Sequence, residues 1–337
     1  MKYFKNILFY CRYFSVFIVV FSGFYACENE GVGVGSILPM GVVKYDSLNP
    51  YDVRVTAFGK QLFFDARLSV DNSVSCSSCH HPARAFTDGQ KTAEGISGRR
   101  TMRNSPTLLN VGYQPHFMFD GAIPTLEMQA LVPLRDTNEM GNIDMQKLID
   151  KLSAIPEYQQ LSLELYGRNF DAFVLTRALG NFQRSLISQN SAFDQWYYNK
   201  DSTHFSASAK RGYEIFSKKL YCTSCHTPPN FTTYEIVNNG AAVLNSDEGL
   251  YKITGDSADV GKFKIPTLRN ISLTAPYMHN GTLGSLYDIV QYYSKGGGKH
   301  PNKDGRIKPY ELNSKEADDL IQFFNALTDT SYMATFR

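Results

Sequence analysis

The sequence is short of net charge, of tryptophan and of histidine, and it has little of the period-two alternation that marks strands. Its 337 residues carry 34 Lys+Arg against 32 Asp+Glu, a formal charge of +2, which argues against a nucleic-acid binder held by a basic face. Trp196 is the single tryptophan. The seven histidines leave the whole stretch between His81 and His116 without one. Nor is the chain poor in apolar residues: 43% hydrophobic and 20% charged excludes a largely disordered polymer. The length suggests two domains. Six cysteines remain to be placed, and their positions decide between disulfides, a metal site and covalent cofactor attachment.

Residues 1–26 contain Lys2, Lys5 and Arg12 and no acidic residue, and Phe14 to Ala26 is apolar apart from Ser15, Ser22 and Gly23. A basic start, a short apolar core and a small residue read as an export signal. Cys27 follows Ala26 directly, as at a bacterial lipoprotein cleavage site, and would be the acylated first residue. An uncleaved anchor, or cleavage without lipid, is the alternative. Either way the body is expected outside the cytoplasm, in the periplasm, and as a lipoprotein it would be tethered to a membrane. Residues 27–50 begin polar and turn Gly/Val-rich, as a tether does. Removing residues 1–26 leaves 31 Lys+Arg against 32 Asp+Glu, so the +2 belongs to the signal.

Cys11 lies within the signal. The other four cysteines fall as Cys76-Ser77-Ser78-Cys79-His80 and Cys222-Thr223-Ser224-Cys225-His226. Two thiols separated by two residues can each form a thioether to one vinyl group of a haem, and the following His sits under the iron. A four-Cys zinc site or a pair of redox dithiols is the competing reading, weakened by the His after each pair and by export. Two covalent c-type haems are expected, with Cys76, Cys79 and His80 on the first and Cys222, Cys225 and His226 on the second.

The halves also repeat elsewhere. Ser105-Pro106-Thr107-Leu108-Leu109-Asn110 parallels Ile265-Pro266-Thr267-Leu268-Arg269-Asn270, and Asp120-Gly121 parallels Asn280-Gly281, both 160 residues apart. This is an internal duplication with one haem-binding unit per half. Leu175, Ala178, Leu179, Phe182 and Leu186 recur at helical spacing between Asp171 and Ser188. Ser208 is a candidate cap for a helix holding Ile215 and Phe216, and Ser314 for one holding Leu320, Ile321, Phe324 and Leu327. The expected fold is all-α: two cytochrome c-like domains, residues 51–198 and 199–337, with the boundary near Trp196 to Phe205.

Beyond the haem motifs, Gly59-Lys60-Gln61-Leu62-Phe63-Phe64-Asp65-Ala66-Arg67-Leu68-Ser69, Ala85-Phe86-Thr87-Asp88-Gly89, Gly261-Lys262-Phe263-Lys264-Ile265-Pro266-Thr267 and Ala275-Pro276-Tyr277-Met278-His279 resemble the bacterial di-haem cytochrome c peroxidase family. That family includes the methylamine dehydrogenase maturation enzyme. The likeness spans roughly residues 55–330. It implies reduction of hydrogen peroxide at the first haem, with electrons relayed through the second. By the resemblance Gln129 and Glu139 line the distal face of the first haem, where a buried carboxylate with a raised pKa suits proton transfer between the two peroxide oxygens. Read from the residues alone, Glu139 is a helix-start carboxylate near Asn138.

Two positions depart from the family pattern. Many members carry a His in the loop after the first haem, which binds the iron at rest; the matching residue here is Ile96, so the first haem is expected to be open without reductive activation. The usual inter-haem Trp is Phe119. On the second haem the alignment places the sixth ligand at Tyr293, with Met278 as runner-up and two packing residues as the bland alternative. A phenolate lowers the potential and a thioether raises it. Asn104 and the carbonyls of Thr274 and Pro276 match a calcium site, or Asn104 serves a turn before Pro106. Lys262, Arg269 and Arg103 are candidate partners of haem propionates, and His279 is expected near the second haem.

Three functions compete: a peroxidase fed by a small cytochrome c or cupredoxin, a maturation-type oxidase that withdraws electrons from aromatic residues of a partner protein, and a non-enzymatic electron carrier. Tyr293 and Ile96 favour the second, Phe119 disfavours it, and Ile96 with Glu139 argue against the third. Family peroxidases are often homodimers, which extends to this chain by analogy only.

Overall fold

The structure is a computed structural model and describes residues 39–241 and 247–336. The export signal, Cys11, Cys27 and most of the tether therefore lie outside the described residues. Among the described residues the regular structure is helical apart from one antiparallel pair, Ile236–Val237 with Phe263–Lys264. No helix among them is long and apolar enough to cross a membrane.

Each half is built on a crossed helix pair. In the first, Val53–Phe63 packs on Ala172–Arg184; in the second, Ala207–Glu214 packs on Ser314–Asn325. One glycine per pair permits the approach. A Cβ on Gly59 would lie 1.9 Å from the Ala178 carbonyl, and one on Gly212 would lie 2.0 Å from the Asp319 carbonyl. Those contacts are far inside van der Waals range, so only glycine fits at either crossing. Phe182 and Phe323 flank the two glycines at the same relative place.

The caps explain where the helices begin. Asp171 accepts from the Val174 amide, as its position before the apolar series predicts. The other two caps fall elsewhere than the sequence suggests. Ser206, not Ser208, caps the helix before Cys222, and Ser208 donates to Asp319 instead. Asn313, not Ser314, forms a reciprocal capping box with Glu316. In both places a neighbouring polar residue is in extended conformation just outside the helix, which spacing alone does not distinguish.

Two apolar clusters fill the halves. The first runs from Phe58 to Leu186 and the second from Phe193 to Leu327. The expected boundary at Trp196 to Phe205 therefore falls inside the second cluster, where the Trp196 ring stacks on Phe205 at 4.4 Å. Tyr332 crosses back to the first cluster, its hydroxyl donating to the Pro82 carbonyl at 3.1 Å.

The duplication is visible in the loops as well. Asn110 and Asn270 both take the left-handed conformation, and both side-chain amides donate to Ser188, one to its carbonyl and one to its hydroxyl. Phe117 bridges Ile123 as Tyr277 bridges Leu283, placing Met118 and Met278 at matching left-handed positions.

Candidate functional site

The first Cys pair occupies one helical turn, Cys76–Cys79, and the second a tighter turn, Cys222–Ser224 followed by Cys225. All four thiols are free. Burial pushes Cys76, Cys79 and Cys222 up to about 12, which keeps these thiols protonated. No group of three His, Cys, Asp or Glu side chains suited to a metal ion occurs among the described residues, which removes the four-Cys zinc reading.

The two histidines are held alike. His80 Nδ1 lies 2.9 Å from the Phe86 carbonyl, and His226 Nδ1 lies 3.0 Å from the Phe231 carbonyl. A carbonyl can only accept, so Nδ1 carries the proton and Nε2 is left as the lone-pair nitrogen. Burial lowers both pKa values, that of His226 to about 4, and keeps the rings neutral. Two free thiols within one turn beside a neutral imidazole with a fixed tautomer fit a c-type haem at each motif.

The surroundings of the first motif centre on Glu139. The helix Leu126–Arg135 contains Pro133, which has no N–H for the Gln129 carbonyl, and the helix ends two residues later. The chain then turns through Asp136 to Gly141. Glu139 is not at a helix start: its amide donates to Asp136, and the next helix begins at Met145. The turn is pinned on both sides, by Ile96 N to Glu139 O at 2.9 Å and by Val70 N to Met140 O at 2.9 Å. A Cβ on Gly95 would fall 2.0 Å from the Asn138 carbonyl, so the loop lies directly on this turn. Ile96 is buried in the first core. Burial, then the nearby Asp136, raises Glu139 to about 7, and its charge is felt at both Cys76 and Cys79. Gln129 is half-buried on the helix that leads into this turn.

The second motif faces different groups. Tyr293, in the helix Leu286–Ser294, is half-buried, is raised to about 12 by that desolvation, and lies within electrostatic reach of Cys222 and Cys225. Its oxygen accepts from Asn239 Nδ2 at 3.1 Å, and the same nitrogen lies 3.4 Å from Met278 Sδ. Tyr293 and Met278 thus meet at one amide. The sequence reading named both but did not foresee Asn239. The available signal was the run Asn238-Asn239-Gly240 together with the glycines at 296–298.

Between the halves, the Phe119 carbonyl accepts from Lys264 N at 2.7 Å. Lys264 Nζ donates to Gln114 Oε1 and to the His116 carbonyl, and burial lowers it to about 8. The three proposed propionate partners are engaged elsewhere. Arg269 is fully buried against Asp194, with both contacts at 2.7 Å. Arg103 bridges Asp120 and Asp247, and Lys262 pairs with Asp259. His279 stacks on Phe263 at 3.9 Å and is lowered by burial to about 4. Asn104 donates through its backbone to the His279 carbonyl at 2.8 Å and through its side chain to the Gln90 carbonyl. It therefore reaches the segment after Pro276, while Thr274 Oγ1 donates to Ile271.

Residues 54–202 match the family model for di-haem cytochrome c peroxidases. The methylamine utilization protein MauG of Methylorubrum extorquens is 36% identical over 289 residues, covering 85% of this chain and 81% of that protein. The cytochrome-c peroxidase IdrP1 of Denitromonas iodatirespirans is 33% identical over 325 residues, with coverage of 87% and 86%. A solved MauG-like protein associated with microbial copper homeostasis superposes with a TM-score of 0.79 at 30% identity, covering 87% of this chain and 95% of that one. The chain belongs to the di-haem cytochrome c peroxidase family. It is an oxidoreductase of a peroxidase family that carries haem c.

Proposed function

We propose that this chain reduces hydrogen peroxide to two molecules of water at the first motif, consuming two electrons and two protons, with electrons entering at the second motif from a small cytochrome c or cupredoxin. The haems, when bound to Cys76, Cys79 and His80 and to Cys222, Cys225 and His226, supply the iron for peroxide cleavage and the path for electrons. Glu139 carries the reading. A half-buried carboxyl with a pKa near 7, beside the first Cys pair, can take a proton from one peroxide oxygen and return it to the other. Gln129 contributes an amide to orient the substrate. Ile96 offers no nitrogen from the loop that touches the Glu139 turn, which supports a site open to peroxide at rest.

The same reading places an N-terminal peroxidatic unit and a C-terminal electron-transfer unit on the two apolar clusters, with Phe119 between the haems. It includes a calcium ion held by Asn104, Thr274 and Pro276, export to the periplasm, a lipid anchor at Cys27 and a homodimer. Mixing the haem-loaded protein with peroxide and a reduced small cytochrome tests the activity; turnover of the cytochrome is expected, and its absence rejects peroxidase action.

One observation favours a second reading. Tyr293 beside Cys222 and Cys225 supports an oxygen ligand, which lowers potential and favours the oxidised state. A maturation-type oxidase acting on aromatic residues of a partner protein would use that state. Oxidising equivalents retained after peroxide without turnover of the cytochrome would support it.

A further inference from the structure

Asn239 follows directly on the two-residue strand Ile236–Val237 and Asn238, and its surroundings engage its carbonyl and both ends of its side-chain amide. Its backbone carbonyl accepts from the Tyr292 hydroxyl at 2.9 Å and its Oδ1 accepts from the Ala241 amide at 3.0 Å. Its Nδ2 reaches Tyr293 Oη at 3.1 Å and Met278 Sδ at 3.4 Å. A carboxamide NH2 has two hydrogens, one for each acceptor. The amide cannot drift. A Cβ on Gly297 would lie 2.6 Å from the Asn239 carbonyl, and one on Gly298 would lie 2.0 Å from the Gly240 carbonyl, so the glycine run 296–298 is what lets these segments touch. The Gly298 amide also donates to the Tyr292 hydroxyl at 2.7 Å, closing the cluster.

We infer that Asn239 is a positioning residue that selects the sixth ligand of the second haem, holding the Tyr293 oxygen in place and keeping the Met278 sulfur from the iron. The inference rests on the reading of the second motif as a haem site. Its chemistry is direct. A hydrogen bond to an oxygen donor fixes its direction, as groups behind metal ligands do. The same donor on the thioether engages one of the two sulfur lone pairs and fixes the direction of the sulfur. Met278 sits at φ +73°, in a tight turn that fixes where its side chain starts. The first half offers a contrast: Met118 takes the matching left-handed position, yet no amide bonds its sulfur among the described residues.

The test uses the full, haem-loaded chain, with haem content measured first. Asn239→Leu keeps the branched shape and removes the amide that donates to Tyr293 and Met278, along with the acceptor for the Ala241 amide. The ferric wild type is expected to show the absorption and resonance Raman signature of a tyrosine ligand with no thioether-to-iron band. Asn239→Leu is expected to gain the thioether band and to raise the potential of the second haem, since thioether ligation raises it. The double variant Asn239→Leu/Met278→Leu should lose that band again. A wild-type protein that already shows thioether ligation overturns the inference, as does Asn239→Leu with unchanged spectrum and potential. Should Asn239→Leu fail to fold, Tyr293→Phe tests the same juxtaposition: with Asn239 still on the Met278 sulfur no thioether-to-iron band is expected, and its appearance overturns the inference. A chain with one haem defeats the haem reading as well; two haems with an unaltered Asn239→Leu spectrum defeats this inference alone.

Discussion

The two halves of this molecule hold their candidate haem ligands in the same way and then surround them differently. His80 and His226 each point Nδ1 at the carbonyl of a fully buried Phe, and Gly59 and Gly212 each seat a helix against its partner's backbone. Around the two motifs the likeness ends. The first half offers a protonatable carboxyl, Glu139, and a buried Ile96; the second offers a phenol, a thioether and the amide that touches both. The duplication thus preserved the Cys pairs and the way each His is held, while the groups around the two motifs differ.

The largest effect should fall on one half only. Glu139→Gln is expected to slow peroxide reduction by about 10²–10⁴-fold, the usual worth of a positioned acid–base group, and to leave the second haem's spectrum unaltered. The reaction in the wild type should rise with pH through about 7, because the carboxylate form accepts the proton, and should fall about tenfold per pH unit below it. A flat profile between pH 5 and 8, or an equal response in both haem spectra, breaks the contrast between the halves.

Stability should distinguish the halves next. Asp194→Asn leaves the Arg269 guanidinium buried without its counter-charge, which costs about 3–5 kcal/mol. The comparable pair in the first half, Arg184 with Glu127, is less enclosed, with side-chain exposures of 9% and 15% against 0% and 1%. Glu127→Gln should therefore cost less, and equal losses in denaturant titration would show that enclosure is not what separates them.

Smaller effects should be matched. Gly59→Ala and Gly212→Ala each force a Cβ onto a helix carbonyl and should each cost about 1–3 kcal/mol in thermal unfolding. Markedly unequal losses would mean that the two helix crossings are less alike than their geometry. Removing the caps, by Asp171→Ala and Asn313→Ala, should cost about 1 kcal/mol apiece.

Much of this was legible along the chain because it is local. A Cys pair with its His spans five residues, and the 160-residue offset of the two halves can be read without knowing how they fold. The apolar series from Leu175 to Leu186 predicts its helix for the same reason, since the α-helical period places those residues on one face. Misplaced caps at Ser208 and Ser314 mark the limit of that reasoning: adjacent Ser and Asn residues have similar capping propensity, and backbone conformation selects among them.

What lay beyond the sequence depends on contacts between distant segments. Arg269 was a plausible propionate partner until the fold buried it against Asp194, 75 positions earlier. Glu139 read alone as a helix-start carboxylate, and only its contact with the Gly95–Ile96 loop, 43 positions before it, shows why it is half-buried and protonatable near neutrality. Asn239 reaches Met278 and Tyr293 across 39 and 54 positions. By itself the sequence determined the family, the haem-attachment motifs and the helical character, because covalent chemistry and helical periodicity act over a few residues. The tertiary structure alone decided which polar groups are desolvated and which donor meets which acceptor, because burial and hydrogen bonding are set where remote segments pack.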